Sequence, residues 1–252
     1  MPEKIYGLIS VRSNSKRLRK KCFLDFGGVN ILEHIILRCK YGGIIPIVCT
    51  SNKYIDKKVI KVAKKLKVKF FKGPERNKLL RWYLCCKKFK IKRFHTVDAD
   101  DLFFDWDAII KSIKFLKKYK LDVLLPSKIS RGGAASEGYS FTFAGLKKII
   151  SKYNFLKQKD YDSEMIDSFI KKNVKTKVFV GTNYELKKVR LTLDYIQDYK
   201  LLKKISKALG NFSHRKKINN FLIKNKKLIK INYYKNSAWA KKQNRIISNI
   251  KV

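Results

Sequence analysis

The stretch "IYGLISVRSNSKRLRKK", Ile5 to Lys21, decides the fold. Ile5–Ser10 reads as a buried β-strand, a short apolar run that ends where polar residues begin. The eleven residues after it, Val11–Lys21, hold six basic side chains with Ser13, Asn14 and Ser15 among them. A helix is expected over Asn30–Lys40, where Ile31, Leu32, Ile35 and Ile36 give the apolar face and Gly42-Gly43 the stop. Strand, loop and helix together make one unit of an α/β fold. In an open sheet of that kind ligands sit at the carboxyl ends of the strands, so the basic loop stands where a ligand would lie.

The unit repeats along the chain. Ile44–Thr50, Val68–Phe71, Arg93–Val97 and Val123–Leu125 read as strands, separated by helices over Asp56–Leu66, Asn77–Lys88 and Trp106–Lys118. Strands alternating with helices imply a Rossmann-like, mostly parallel sheet covered on both faces. Beyond Pro126 the alternation loosens into an embellished second half. A Gly-rich segment at Arg131-Gly132-Gly133 leads to a strand at Tyr139–Phe143 and a helix at Ala144–Tyr153, and a further helix is expected over Ser163–Lys172. Val189–Leu193 reads as a strand, followed by helices at Gln197–Ala208 and Ile218–Lys224. Residues 1–210 are expected to form the main domain and 211–252 a helical extension that packs on the core or on a partner.

No apolar run approaches the ~18 residues a membrane helix needs, and Met-Pro-Glu-Lys begins no signal peptide, so a cytoplasmic protein without a membrane partner is expected. The five cysteines, Cys22, Cys39, Cys49, Cys85 and Cys86, show neither a CxxC pair nor a neighbouring histidine at ligand spacing and read as buried thiols. The formal charge is +42, from 61 basic and 19 acidic residues. Such a balance ordinarily points to nucleic acid. Here the lysines are spread over every helix surface with no nucleic-acid motif beside them, so no dedicated nucleic-acid partner is expected.

The loop matches neither GxGxxG nor GxxxxGK[ST], so any phosphate bound there must be met by side chains. Arg12, Arg17 and Lys21, with Ser13 and Ser15, can reach several phosphate oxygens; a solvated basic loop is the alternative. Most acids are isolated among lysines, which makes "TVDADDLFFD", Thr96–Asp105, conspicuous at the end of a strand. On a strand Asp98 and Asp100 would share one face, and carboxylates so gathered suit Mg²⁺, which takes oxygen ligands. Asp105 reads instead as the cap of the next helix. In the second acidic segment, Val189–Ile205, Asp194 ends a strand and Asp198 begins a helix. His34, His95 and His214 form no constellation and read as structural, as do Phe103, Phe104 and Trp106.

Arg12-Ser13-Asn14-Ser15-Lys16-Arg17-Leu18-Arg19-Lys20-Lys21 resembles the R-x-x-S-x-R-L-P-G-K signature of the cytidylyltransferases that activate acidic sugars, such as the CMP-Kdo and acylneuraminate synthetases, and within them the spore-coat polysaccharide SpsF branch. The resemblance continues in order through Phe26-Gly27-Gly28, Leu32-Glu33-His34, Lys72-Gly73 with Leu79–Tyr83, Asp98–Leu102 (family Q-G-D-E-P) and Val189–Tyr199 (family R-L-T-V-D-T-P-E-D-Y). Departures are Arg19-Lys20 for Pro-Gly, Leu102 for proline, and Ser163-Glu164-Met165 for R-E-H.

The resemblance implies the nucleotide-diphospho-sugar transferase fold, a homodimer, and transfer of CMP from CTP to a sugar in surface-glycan synthesis, with release of pyrophosphate. It implies Arg12, Lys21 and Asp100 as catalytic, with Arg12, Ser13, Ser15, Arg17, Lys21 and Asp98 on the nucleotide. Mg²⁺ falls to Asp100 and Asp194, and the sugar to Arg131, Glu137, Glu164 and Arg190, the last of which has orienting Asp194 as its alternative. No residue specifies cytosine, so another nucleoside triphosphate or acceptor stays open, as does an inactive polyanion-binding protein on the same fold.

Overall fold

In the computed structural model of the chain the described residues are 3–13, 15, 17–127, 129–134, 137–170, 174–179, 186 and 188–248, without the side chains of residues 131, 132 and 242–247. β1 (Tyr6–Ser10) lies inside a seven-stranded sheet. A small hairpin of β2 (Asp25–Phe26) and β3 (Val29–Asn30) follows, turned through Gly27 and Gly28 at φ of 61° and 87°, a region glycine enters without a Cβ clash. α1 (Ile31–Tyr41) starts in a capping box, with the Asn30 side chain accepting the Glu33 N–H and the Glu33 carboxylate accepting that of Asn30.

The next elements are β4 (Ile45–Ser51), α2 (Lys57–Lys65), β5 (Lys69–Gly73), α3 (Lys78–Phe89), β6 (Arg93–Asp98), α4 (Trp106–Lys118) and β7 (Val123–Leu125). After them come β8 (Ser140–Thr142), α5 (Phe143–Lys152), β9 (Thr176–Val178), α6 (Ile196–Leu209), α7 (Arg215–Lys224), α8 (Lys226–Ile229) and α9 (Lys235–Ser248).

The sheet order is β5-β4-β1-β6-β8-β7-β9. β5, β4, β1 and β6 run parallel, with β4 and β5 on one side of β1 and β6 on the other. The connections therefore change direction beside β1, and a crevice opens between the loops that leave β1 and β6. Alternate residues of β1 serve opposite faces. Leu8 joins Trp82, Phe94 and Phe141 on one side, whereas Ile9 joins Ile31, Ile35, Leu201 and Ile218 on the other. β8 is antiparallel to both neighbours, and it comes so close to β6 that a Cβ on Gly138, just before it, would stand 2.5 Å from the Thr96 carbonyl oxygen.

Two expected elements are different in the structure. Val189–Leu193 joins no strand: its N–H groups go to loop carbonyls, Leu191 to Gly133 at 2.8 Å and Leu193 to Asp100 at 2.8 Å. The alternation that imitates a strand comes from Val189, Leu191 and Leu193 all being buried as the segment passes over the core. In place of the helix over Ser163–Lys172, the described residues hold one 3-10 turn, Ile166–Phe169. Ser163 is tied to the start of α3, its Oγ accepting the Leu79 N–H and donating to Asn77 Oδ1, and Ile166 and Phe169 point into the core at a spacing of three.

The five cysteines are free and buried. The 211–248 segment packs on the core, with Phe212 stacked on His34 and Ile218 and Leu222 fully buried. No helix among the described residues is long and apolar enough to cross a membrane.

Candidate active site

A cleft of about 510 Å³ opens at the carboxyl ends of β1 and β6. The basic loop forms one wall through Arg12, Ser15, Arg17 and Lys21, and the acidic loop after β6 another through Asp98 and Asp100. The register of the two strands sets Ser10 beside Asp98. Asp98 ends the strand, while Asp100 lies in the turn beyond, so the two are not alternate residues of one strand face. The turn instead gathers Asp98, Asp100 and Asp101, each offering an oxygen within 4.8 Å of the others.

Asp194 is brought to the same place from the far end of the chain. Lys21 Nζ donates to Asp100 Oδ2 at 2.7 Å, to the Leu193 carbonyl at 2.9 Å and to Asp194 Oδ1 at 3.3 Å. Arg17 donates to Asp194 Oδ1 at 2.5 Å, and Arg190 to Asp194 Oδ2 at 3.0 Å. One carboxylate oxygen thus faces the cleft cations and the other a buried guanidinium.

The charges are mutually sustained. Burial alone would lower the pKa of Lys21, but Asp100 and Asp194 outweigh it and hold the ammonium above its ordinary value. Burial would raise Asp194, but Lys21, Arg17 and Arg190 keep it below the usual carboxylate range. Asp101 has no such cationic partner among the described residues. Burial, with the charges of Asp100 and Asp98 beside it, pushes Asp101 well up, and the Thr192 hydroxyl donates to its Oδ1 at 2.8 Å.

The turn of the basic loop answers the departure at Arg19-Lys20. Lys20 stands where the resembling signature has glycine and adopts φ 53°, the left-handed conformation that glycine favours, before the 3-10 turn Lys21–Phe23. The substitution keeps the turn, at a backbone cost.

Arg12, Ser15, Arg17, Lys21, Asp98, Asp100 and Glu164 line the cleft, with Arg12 and Glu164 paired at 3.2 Å across its mouth. Ser13 does not: it is buried, and its N–H donates to Asp56 Oδ1 at 2.7 Å, anchoring the loop to the turn before α2. Glu137 is buried and does not line the cleft, its Oε1 accepting the Ser127 N–H at 2.9 Å. Arg190 does not line the cleft either: its side chain is fully enclosed and directed to Asp194 and Asp198. The side chain of Arg131 lies outside the described residues.

Asp105 and Asp198 cap their helices as expected. His34 and His95 are buried and pushed down to about 3 by burial, with neutral rings on Leu102 O and Ser140 Oγ. The sequence reading missed Lys78 and Arg81 on the wall formed by α3. Lys78 is buried and donates to Asp98 Oδ1 at 2.9 Å, and Asp98 and Glu164 together outweigh the burial that would lower its pKa. The available signal was Asn77, whose side chain caps α3 and so fixes Lys78 at that helix's first position, at the ligand-binding edge.

A parallel α/β sheet with cations and carboxylates gathered at its switch point defines a nucleotide-handling enzyme. The chain belongs to the cytidylyltransferase family, whose model matches residues 6–249, and is a nucleotidyltransferase. It is 31% identical over 237 residues to the uncharacterized protein MJ1063 of Methanocaldococcus jannaschii, covering 91% of this chain and 94% of that one. A cytidylyltransferase structure from Leptospira borgpetersenii superposes with a TM-score of 0.77 at 22% identity, over 90% of this chain and 96% of that one. CMP:2-keto-3-deoxy-manno-octonic acid synthetase complexed with CTP gives a TM-score of 0.57 at 12% identity, over 82% and 99% of the two chains.

Proposed function

We propose that the protein transfers CMP from CTP to a hydroxyl of an acidic sugar, releasing pyrophosphate, for surface-glycan biosynthesis. The observation that carries this is Lys21, set between Asp100 and Asp194 at 2.7 and 3.3 Å beneath a loop of further cations. A triphosphate entering the cleft would meet Arg12, Arg17 and Lys21, whose charges offset its own and that of the leaving pyrophosphate. The sugar oxygen bonds to the α-phosphorus as the bond to the β-phosphate oxygen breaks; the leaving pyrophosphate keeps that electron pair, and the hydroxyl proton passes to water. Chemistry of this kind depends on positioning and charge compensation more than on covalent participation by the protein.

The donor set also fits Mg²⁺. Asp100 Oδ2, Asp194 Oδ1 and the Leu193 carbonyl are hard oxygens already converging on one cation, the Lys21 ammonium. Asp100 and Asp194 would hold the metal, which when bound supplies charge neutralisation at the α-phosphate. Arg17 and Lys21 would then turn from the carboxylates to phosphate oxygens, and Glu164 at the cleft mouth stands toward the acceptor.

Thermal unfolding with each nucleoside triphosphate, with and without Mg²⁺, tests the reading, since a ligand that binds only the folded state raises the midpoint. CTP should raise it most, and Mg²⁺ should enlarge the rise. Equal shifts with all four and with plain polyphosphate would reduce Val11–Lys21 to a polyanion trap.

A further inference from the structure

The 211–248 segment puts buried polar side chains next to both halves of the acid centre. On one side, Arg215 donates to Phe103 O at 3.1 Å in the loop after Asp100, and Arg38 of α1 ties that loop to the segment by donating to Phe104 O at 2.9 Å and to Ser213 O at 3.1 Å. On the other side stands Asn232. Its side-chain amide donates to Asp198 Oδ1 at 2.8 Å and to the Arg190 carbonyl at 2.9 Å. Asp198 in turn accepts the N–H groups of Asp194 and Tyr195, at 2.8 and 2.9 Å, and Arg190 Nε at 3.0 Å. Arg190 then reaches Asp194 Oδ2 and, through Nη1, Asn236 Oδ1 at 3.1 Å. Most of these links involve a charged group in a largely enclosed setting, where such bonds are strong when complete and costly when broken.

Asn232 is 0% exposed, yet its Oδ1 has no hydrogen-bond partner among the described residues. A side chain present only to fill space would be better apolar, because a buried unpaired carbonyl oxygen costs free energy. What the amide provides is its two donors, and both go to the pair of residues that aims Asp194.

We infer that Asn232 is a positioning residue of the transfer centre: it fixes Asp198 and Arg190, and through them aims one oxygen of Asp194 at the cleft cations Arg17 and Lys21. Asn232 itself does not line the cleft. The inference rests on the proposed function, in that Asp194 is taken as a ligand of the divalent ion used with CTP. The extension 211–248 is then a brace on the active centre, and its Asn232 belongs to the working machinery although it is 38 residues from Asp194 in sequence (232 − 194).

The test is Mn²⁺ affinity of the full chain in the presence of CTP, followed by water-proton relaxation, for the wild type, Asp194→Asn, Asn232→Leu and the double variant. Leu222→Ala, a cavity in the same extension, serves as the control for lost stability alone. Asn232→Leu should weaken Mn²⁺ about tenfold, the usual cost of removing a group that orients a ligand. In the Asp194→Asn background it should weaken binding no further, because its effect passes through that carboxylate. Leu222→Ala should lower the thermal midpoint and leave Mn²⁺ affinity unchanged. Wild-type-like affinity in Asn232→Leu, a full additional loss in the double variant, or an equal loss in Leu222→Ala would each overturn the inference alone. A wild type whose Mn²⁺ binding ignores both CTP and Asp194→Asn would overturn the functional reading, and the inference with it.

Discussion

Residues 6–118 and residues 126–248 are built on different principles, although both contribute to one cleft. In the first region each strand and helix is specified by its own segment: apolar β1 and β4, Asn30 and Glu33 capping α1, Asn77 capping α3, Asp105 capping α4. In the second, local caps such as Thr142 on α5 are joined by polar side chains reaching backbone groups far away, as Arg215 does to Phe103 and Asn232 to Arg190. Local periodicity places elements, whereas distant hydrogen bonds place the carboxylates around Lys21.

The sharpest break between the regions is expected in activity. Asp100→Ala removes one of the two carboxylates on Lys21, and pyrophosphate release should fall at least about a hundredfold while the circular dichroism spectrum stays native. An active Asp100→Ala variant would place the centre elsewhere. Stability should divide the regions the other way. Arg215→Met strips buried donors from Phe103 O and Ala134 O and should cost about 3 kcal/mol, a midpoint lowered by roughly 6–12 °C. The same change at exposed Lys61 on α2 should stay within about 0.5 kcal/mol. Equal midpoints would remove the distinction.

This contrast also describes what the sequence discloses. The central elements, the sheet's parallel half, the cleft's position and Arg12, Arg17, Lys21, Asp100 and Asp194 can all be read from segment pattern and motif order. The antiparallel β8 between β6 and β7 cannot, because nothing in Tyr139–Phe143 states its direction. Arg190 was legible as a charge near Asp194 but not as buried, since enclosure depends on Asp198, Asn232 and Asn236 arriving around it. Lys78 was hidden among many surface lysines. The Asn77 cap sets it at the start of α3, and the placement of Asp98 beside it completes the distinction.

Proton binding sharpens the comparison within the centre. Asp194, held low, contributes stability that is present above the unfolded carboxylate pKa of about 3.9 and is lost as pH falls through its folded value. Asp101, pushed up by burial and by Asp100 and Asp98, behaves oppositely: its contribution is present below about pH 3.9 and is lost as pH rises towards its folded value. Asp101→Asn keeps the Oδ1 that accepts from Thr192 and cannot ionise. It should raise the midpoint by roughly 2–4 °C at pH 7, the effect of about 1 kcal/mol in a chain of this size, and by nothing near pH 3. A variant less stable at both pH values would mean that the neutral carboxyl group itself, and not only the absence of charge, is needed at this position.

The smallest expected effect tests whether the first region tolerates its departure at Arg19-Lys20. Lys20 is held at φ 53°, where an L-residue costs about 1–2 kcal/mol and glycine does not. Glycine loses more freedom on folding, which returns about 0.5–1 kcal/mol of that gain. Lys20→Gly should therefore stabilise by about 0.5 to 1 kcal/mol in denaturant unfolding. The side chain is exposed and outside the cleft lining, so CTP affinity should change less than about twofold once ionic strength is matched. A stable variant that binds CTP much more weakly would mean that the Lys20 ammonium, and not only the turn it completes, reaches the triphosphate.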